Sequence, residues 1–230
     1  MAKYQYSYLF DLKDWQALGY HVAPATGSPA MDRGTEVHQT CEDFVQGKIE
    51  RSGLHKAISP AWANLVADLK RNHAVAEEQW AFDDGWNPTP DNGAAMWLRM
   101  KIDVHQFITP KKMRVIDYKT GKFYNANVEQ VEVYAIGAFA KFDDVDEIIT
   151  ELWYFDFGEP YDKTFKRSQV PKLARKWEGR ANPVLAATSF PPRVTKLCDW
   201  CPYNQKKGGP CTAPADALRG RAGTARKGFG

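Results

Sequence analysis

The stretch from Met100 to Tyr134 constrains the fold of this chain more than any other. Apolar side chains alternate at Met96, Leu98, Met100 and Ile102, the period of a strand, with Asp103 near its end. Thr109-Pro110-Lys111-Lys112 carries turn signals. Arg114-Val115-Ile116-Asp117-Tyr118-Lys119 is a second β-rich run, stopped by Thr120-Gly121. A helical pattern follows from about Asn125 to Phe142. Its apolar stripe is Val128, Val131, Ala135, Ala138 and Phe142, and Gln130, Tyr134 and Lys141 lie on a flanking face. Strand, hairpin, strand, turn and helix predict an α/β fold.

Two strands joined in this way set Asp103 and Asp117 at neighbouring positions in one sheet. Paired carboxylates repel and raise each other's pKa unless a cation lies between them. A hard divalent ion with oxygen ligands, Mg²⁺ or Mn²⁺, suits such a pair. Lys119 follows Asp117 by the strand period, so both side chains share a face. Two carboxylates, a cation and an ammonium are what phosphodiester hydrolysis needs: an activated water, a polarised phosphoryl oxygen and an offset for developing charge. A surface hairpin with solvated Asp and Lys is the competing interpretation of these residues.

Asp32 to Gln46 is a further helix, with Val37, Cys41, Phe44 and Val45 as its buried stripe. His38 sits beside the stripe with Gly34 one turn earlier, and Glu42 at i+4 is its alternative partner. A short helix is expected from Tyr8 to Leu18. Ser59-Pro60 opens another that carries Trp62, Leu65, Val66 and Leu69. Val75 to Phe82 is a strand, whose Glu77 and Glu78 can be solvated edge carboxylates. Glu147 to Phe157 is a β-prone run, and Asp162 to Lys166 is its mate. Gln169 to Ala181 is a basic helix whose Lys172, Arg175, Lys176 and Arg180 either grip phosphates or form a solvated face.

A chain of 230 residues with 43% hydrophobic content and eight Trp can build one sizeable core. Its net charge of +3 permits a nucleic-acid partner without demanding one. No apolar run is long enough to span a bilayer, and the first residues lack the apolar segment of a signal peptide. The expectation is a cytoplasmic protein of a bacterial, archaeal or phage-infected cell with no membrane association. In that compartment cysteines are free or metal-bound more often than disulfide-paired. Cys198-x2-Cys201 has the spacing of a metal knuckle, and Cys211 follows. The spacing leaves a zinc site or a knuckle without metal open.

Asp103, Asp117-Tyr118-Lys119 and Gln130-x3-Tyr134, preceded by Gly34-x3-His38, resemble the PD-(D/E)XK nuclease superfamily, in its RecB-like, CRISPR-associated-exonuclease-like branch. The resemblance implies a mixed central β-sheet flanked by helices, a restriction-endonuclease-like core, with a C-terminal cysteine-containing segment. It implies that Asp103, Asp117, His38 and the Tyr118 backbone carbonyl hold the metal. Lys119 would act on the water, and Gln130 and Tyr134 would bind substrate. Gly34 would let its helix approach the sheet, and one of Glu77 and Glu78 would lie near the site. Many relatives end in a C-x2-C and a further Cys that ligate a [4Fe–4S] iron–sulfur cluster, whose fourth ligand lies upstream. Here the upstream candidate is Cys41, which falls after His38 and on the apolar stripe. Another departure is Met100, where relatives often carry Gly. The expected substrate is DNA, as single strands or duplex ends, in recombination, repair or phage DNA metabolism alongside recombination or replication proteins. No P-loop motif is present, so no helicase motor is expected. The domain expectation is one nuclease domain over 1–212, with a core of about 31–166 and a cysteine segment of about 190–211. A basic flexible tail over 213–230 would follow.

Overall fold

The computed structural model describes residues 28–123, 125–186, 194–195, 198–199, 201, 203–209 and 211–213. The expected helix over Tyr8 to Leu18 and the tail from residue 214 lie outside the described residues. The chain divides into two compact units, Ser28–Ala186 and a second made of Met1–Gly27 with Ala187–Gly230. The expected single domain over 1–212 takes in the whole of the first unit and part of the second.

The larger unit runs α1 (Pro29–Val45), α2 (Pro60–Arg71), β1 (Val75–Phe82), β2 (Leu98–Thr109), β3 (Lys112–Lys119), α3 (Asn125–Lys141), β4 (Glu147–Tyr154), β5 (Pro160–Lys166) and α4 (Val170–Leu185). Ser28 and Ser59 cap α1 and α2, each accepting a bond from the third residue onward, and proline follows each cap. Serine supplies the acceptor that a helix start lacks, and proline there gives up only an N–H with no partner to lose. The start of α1 precedes the expected Asp32 because Ser28-Pro29 is the true start signal.

The five strands lie in sequence order, β1-β2-β3-β4-β5. Every pairing is antiparallel except β3 with β4, which is parallel and needs α3 as its crossover. One face of the sheet packs against α3 and α4 through Trp80, Phe82, Ile102, Val131, Ile136, Phe139, Leu152 and Trp177. The other packs against α1 and α2 through Val37, Phe44, Trp62, Val66, Leu69, Val104, Tyr118 and Trp153. Each large buried side chain contributes about 1.5–3 kcal/mol from burial, so the two layers clamp the sheet from both sides.

Met100 has a matched partner. A Cβ added at Gly137 of α3 would lie 1.8 Å from Met100 Cε and 3.2 Å from Phe82 Cε2. The methionine fills the space that a side chain on α3 would take. Gly137→Ala in the natural background is expected to cost about 1–3 kcal/mol, because Met100 is enclosed and must shift. In a Met100→Ala background the same change is expected to stabilise by about 1 kcal/mol, since alanine favours the helix once the space is open. Urea denaturation of the four members of this double-mutant cycle checks the reversal of sign.

Candidate active site

Asp103 and Asp117 come from β2 and β3, and pairing of Val104 with Ile116 sets them across from one another. Both are buried, at 9% and 6% exposure. On the other side of β2, pairing passes from Ala76–Val104 to Glu78–Ile102, which sets Glu77 opposite Asp103. Here β1 and β2 change face together. Met100 and Ile102 pack on the α3 side whereas Val104 packs on the α1 side. Glu77 takes a left-handed backbone, φ 57°. A glutamate held there is strained, and such strain gathers where a sheet must re-aim a side chain. The Glu77 carboxylate lies 2.5 Å from Lys101 Nζ.

Asp103 Oδ2 accepts the Tyr118 N–H at 2.7 Å and lies 3.3 Å from His38 Nδ1. His38 reaches it from α1, edge-on to the Tyr118 ring with centroids 5.7 Å apart. The approach of α1 depends on Gly34, where a Cβ would come 3.2 Å from Thr120 Oγ1 at the end of β3. Burial works against charge on His38, but the hydrogen bond and charge of Asp103 outweigh it and hold the imidazole above its ordinary range. Glu42, the alternative partner of His38, instead accepts from Gln39 and Gln46.

Asp117 faces α3. Its Oδ1 accepts the Tyr134 hydroxyl at 2.8 Å, and Gln130 Nε2 donates to that same hydroxyl oxygen. Gln130 Oε1 accepts from Lys119 Nζ at 3.3 Å. The Lys119 ammonium touches Asp117 Oδ2, which closes the circuit Asp117–Tyr134–Gln130–Lys119. That contact is ionic only, because Oδ2 is buried without a properly directed hydrogen bond. Burial raises the Asp117 carboxyl above its usual range; the Lys119 charge opposes the rise and the Asp103 charge adds to it.

Among the described residues no three His, Cys, Asp or Glu side chains form a ready-made metal cage. Side chains of the protein itself lie against both carboxylates, His38 on Asp103 and the Lys119 ammonium on Asp117. The donors nevertheless fit a divalent ion. Neighbouring ligands on an octahedral Mg²⁺ sit about 3 Å apart, near the 3.3 Å between His38 Nδ1 and Asp103 Oδ2. A buried carboxylate oxygen with charge contact alone is a site where a second cation gains most.

Several residues stand elsewhere. Glu78 belongs to a separate cluster, bonded by Trp80 Nε1 at 2.8 Å and His105 Nε2 at 2.7 Å, with Lys141 Nζ at 3.1 Å. Lys141 therefore does not join Gln130 and Tyr134. On α4, Lys176 and Arg180 are bound to Glu132 and Glu129 of α3, so two of the four basic residues serve helix packing. Cys41 is fully buried beside Val37 and Phe44. Burial pushes its thiol well up, and the Asp103 charge adds to this. Its surroundings favour packing rather than a metal-binding thiolate.

Asp156 is a residue that sequence reasoning missed. Its carboxylate takes a fork of bonds from Arg33 at 3.0 and 2.5 Å and the Gly121 N–H at 2.6 Å. This ties the start of α1 to the chain leaving β3 and β4, next to Gly34. The Arg33 hydrogen bond holds the Asp156 carboxyl below its usual range. An Arg beside Gly34 and an acid just past a strand end were the only available signals.

In the second unit the described cysteine segment is held by backbone hydrogen bonds. The Cys201 N–H donates to the Cys198 carbonyl at 3.2 Å, and Cys211 N–H returns to the Tyr203 carbonyl at 2.8 Å. The long Cys201–Cys211 interval is taken up by a turn over Gln205–Lys207 ending at Gly208, φ 81°. Thr195 N–H donates to Cys198 Sγ at 3.3 Å.

A family model of the PD-(D/E)XK nuclease superfamily matches residues 1–205. The chain belongs to that superfamily. The mixed sheet flanked by helices is consistent with its restriction-endonuclease-like fold, and its members are typically metal-dependent nucleases. The crystal structure of SSO0001 is similar at 14% identity over 87% of this chain and 75% of that one, with a TM-score of 0.38. No curated protein matches the chain. No helix among the described residues is long and apolar enough to cross a membrane.

Proposed function

We propose that this superfamily member is a deoxyribonuclease of the RecB-like branch, acting as an exonuclease on single strands or duplex ends. One observation carries the proposal: an imidazole from α1 and the Lys119–Gln130–Tyr134 circuit converge on two buried carboxylates of adjacent strands. Asp103, Asp117, His38 and the Tyr118 carbonyl would hold Mg²⁺ or Mn²⁺. When bound, the ion supplies Lewis acidity at the phosphoryl oxygen and a more acidic water. Asp117 then has another counter-charge, which leaves the Lys119 ammonium to position the water or offset phosphate charge. The Gln130 amide and Tyr134 hydroxyl orient the strand by bonding phosphate without repelling it. His38 ligates only as the neutral imidazole, so metal binding releases the proton that Asp103 favours.

For the knuckle we propose a [4Fe–4S] cluster or Zn²⁺ on Cys198, Cys201 and Cys211. The C-x2-C spacing supports the reading. The proposed setting is the cytoplasm, with recombination or replication proteins as partners. The test is a time course with Mn²⁺ on end-labelled linear and on circular DNA. Linear strands are expected to shorten from an end while circles persist. Absence of any metal-dependent cleavage would leave a non-catalytic DNA-binding module on a nuclease scaffold.

A further inference from the structure

At the carboxyl ends of β3 and β4, beside Lys119, four aromatic rings gather. Phe123 and Phe157 are 46% and 58% exposed, whereas Tyr154 is buried. Tyr154 lies between them, with centroids 5.3 Å from Phe123 and 6.2 Å from Phe157, and Tyr161 stands 6.0 Å from Phe123. The shelf is joined to the site by the backbone, since Tyr154 is paired with Lys119 in the parallel ladder. It is also held firmly. Asn127 Nδ2 donates to the Tyr154 hydroxyl at 3.0 Å. Gly121 and Phe157 flank the chain that Asp156 and Arg33 pin, through the Gly121 N–H bond at 2.6 Å.

Two exposed Phe rings on a braced lip forgo the gain that burial would give them. Their neighbours are cationic: Lys122 is exposed next to Phe123, and Lys119 lies at the end of the strand. Flat apolar faces next to ammonium groups match the chemistry of an unpaired nucleic-acid strand. The bases stack on the rings and the phosphates meet the lysines. A duplex offers no such faces, because its bases are already stacked.

We propose that Phe123 and Phe157 form a stacking shelf for unpaired nucleobases, which makes a single strand, or the frayed end of a duplex, the substrate this site takes. The inference rests on the nuclease proposal above and specifies its substrate. The test is the double variant Phe123→Leu/Phe157→Leu, which keeps apolar bulk but removes the π-faces. Binding of 2-aminopurine-labelled single-stranded DNA and of blunt duplex is measured in metal-free buffer. Cleavage of an abasic deoxyribose-phosphate strand, a base-free ester with no aromatic ring, is measured with Mn²⁺.

The expected result is a loss of single-strand affinity of about tenfold or more, together with loss of 2-aminopurine quenching. Duplex affinity and hydrolysis of the base-free ester stay unchanged. Equal single-strand affinity in variant and natural protein, with the natural protein still cleaving DNA, overturns the shelf and leaves the nuclease proposal standing. A natural protein that neither binds nor cleaves DNA overturns both. A dimer that becomes monomeric in the variant, at unchanged DNA affinity, means that the rings cover a second copy of this chain, and the shelf again falls.

Discussion

Asp117→Asn is expected to lower Mn²⁺-dependent DNA hydrolysis by about a thousandfold or more while leaving the fold intact. The amide keeps the shape of the carboxylate and still offers an oxygen to Tyr134. It lacks the charge needed by a divalent ion, and it loses the ionic contact with Lys119. The stability effect runs in the opposite direction. Asp117 is buried and its carboxyl is raised, so the ionised form is a cost to the metal-free protein. The folded value lies above the unfolded one of about 3.9, so stability is lost as pH rises from the unfolded value through the folded one. The asparagine variant has no such loss. At neutral pH without metal it is expected to melt at or above the temperature of the natural protein. Mn²⁺ is expected to raise the melting temperature of the natural protein alone. Rates on labelled DNA, with melts in the presence and absence of Mn²⁺, check both halves. Equal rates for the two proteins would remove Asp117 from the chemistry.

The separation of activity from stability at Asp117 reflects how the site is built, and shows which parts of it were legible in the sequence. Asp117 and Lys119 share a face by strand period, and Gln130 and Tyr134 share one by helix period. Local spacing therefore gave the whole circuit on the α3 side. Asp103 and His38 were legible as residues, but their meeting followed only from the family resemblance and not from local spacing. It needs β1 and β2 to change face at Glu77 and Asp103, while the apolar alternation through Met100, Ile102 and Val104 continues unbroken in the sequence. A period of two cannot reveal that Ile102 and Val104 end on opposite layers. For the same reason β2 was expected to stop near Asp103 but runs on to Thr109. Pairs that depend on three-dimensional closure left no local trace: Gly137 against Met100, and Asp156 between Arg33 and Gly121.

Arg167→Ala is expected to cost about 3 kcal/mol, a large loss for one side chain outside the site. Arg167 opens the turn after β5, and its guanidinium donates to the carbonyls of Phe139 at 3.1 Å, Phe142 at 2.6 Å and Val145 at 2.7 Å. Phe139 lies in the last turn of α3, where carbonyls lose their helical partners, while Phe142 and Val145 belong to the connection between α3 and β4. The guanidinium also lies over the Phe139 ring, 5.0 Å from its centroid. Hydrogen bonds from a charged donor contribute about 1.5–3 kcal/mol each. The sum is discounted because Arg167 lines an open cavity of about 340 Å³, where water can replace part of the set. For a unit of this size the loss corresponds to a fall of about 6–12 °C in Tm. Arg167→Lys is expected to recover only a minor share, since an ammonium cannot span three carbonyls as a planar fork does. Gln130 and Tyr134 lie earlier on α3, so the rate per folded molecule in the cold is expected to change little. Guanidinium denaturation gives the first quantity and DNA hydrolysis well below Tm the second. A variant with unaltered stability would mean that the end of α3 is held by the strands around it rather than by Arg167.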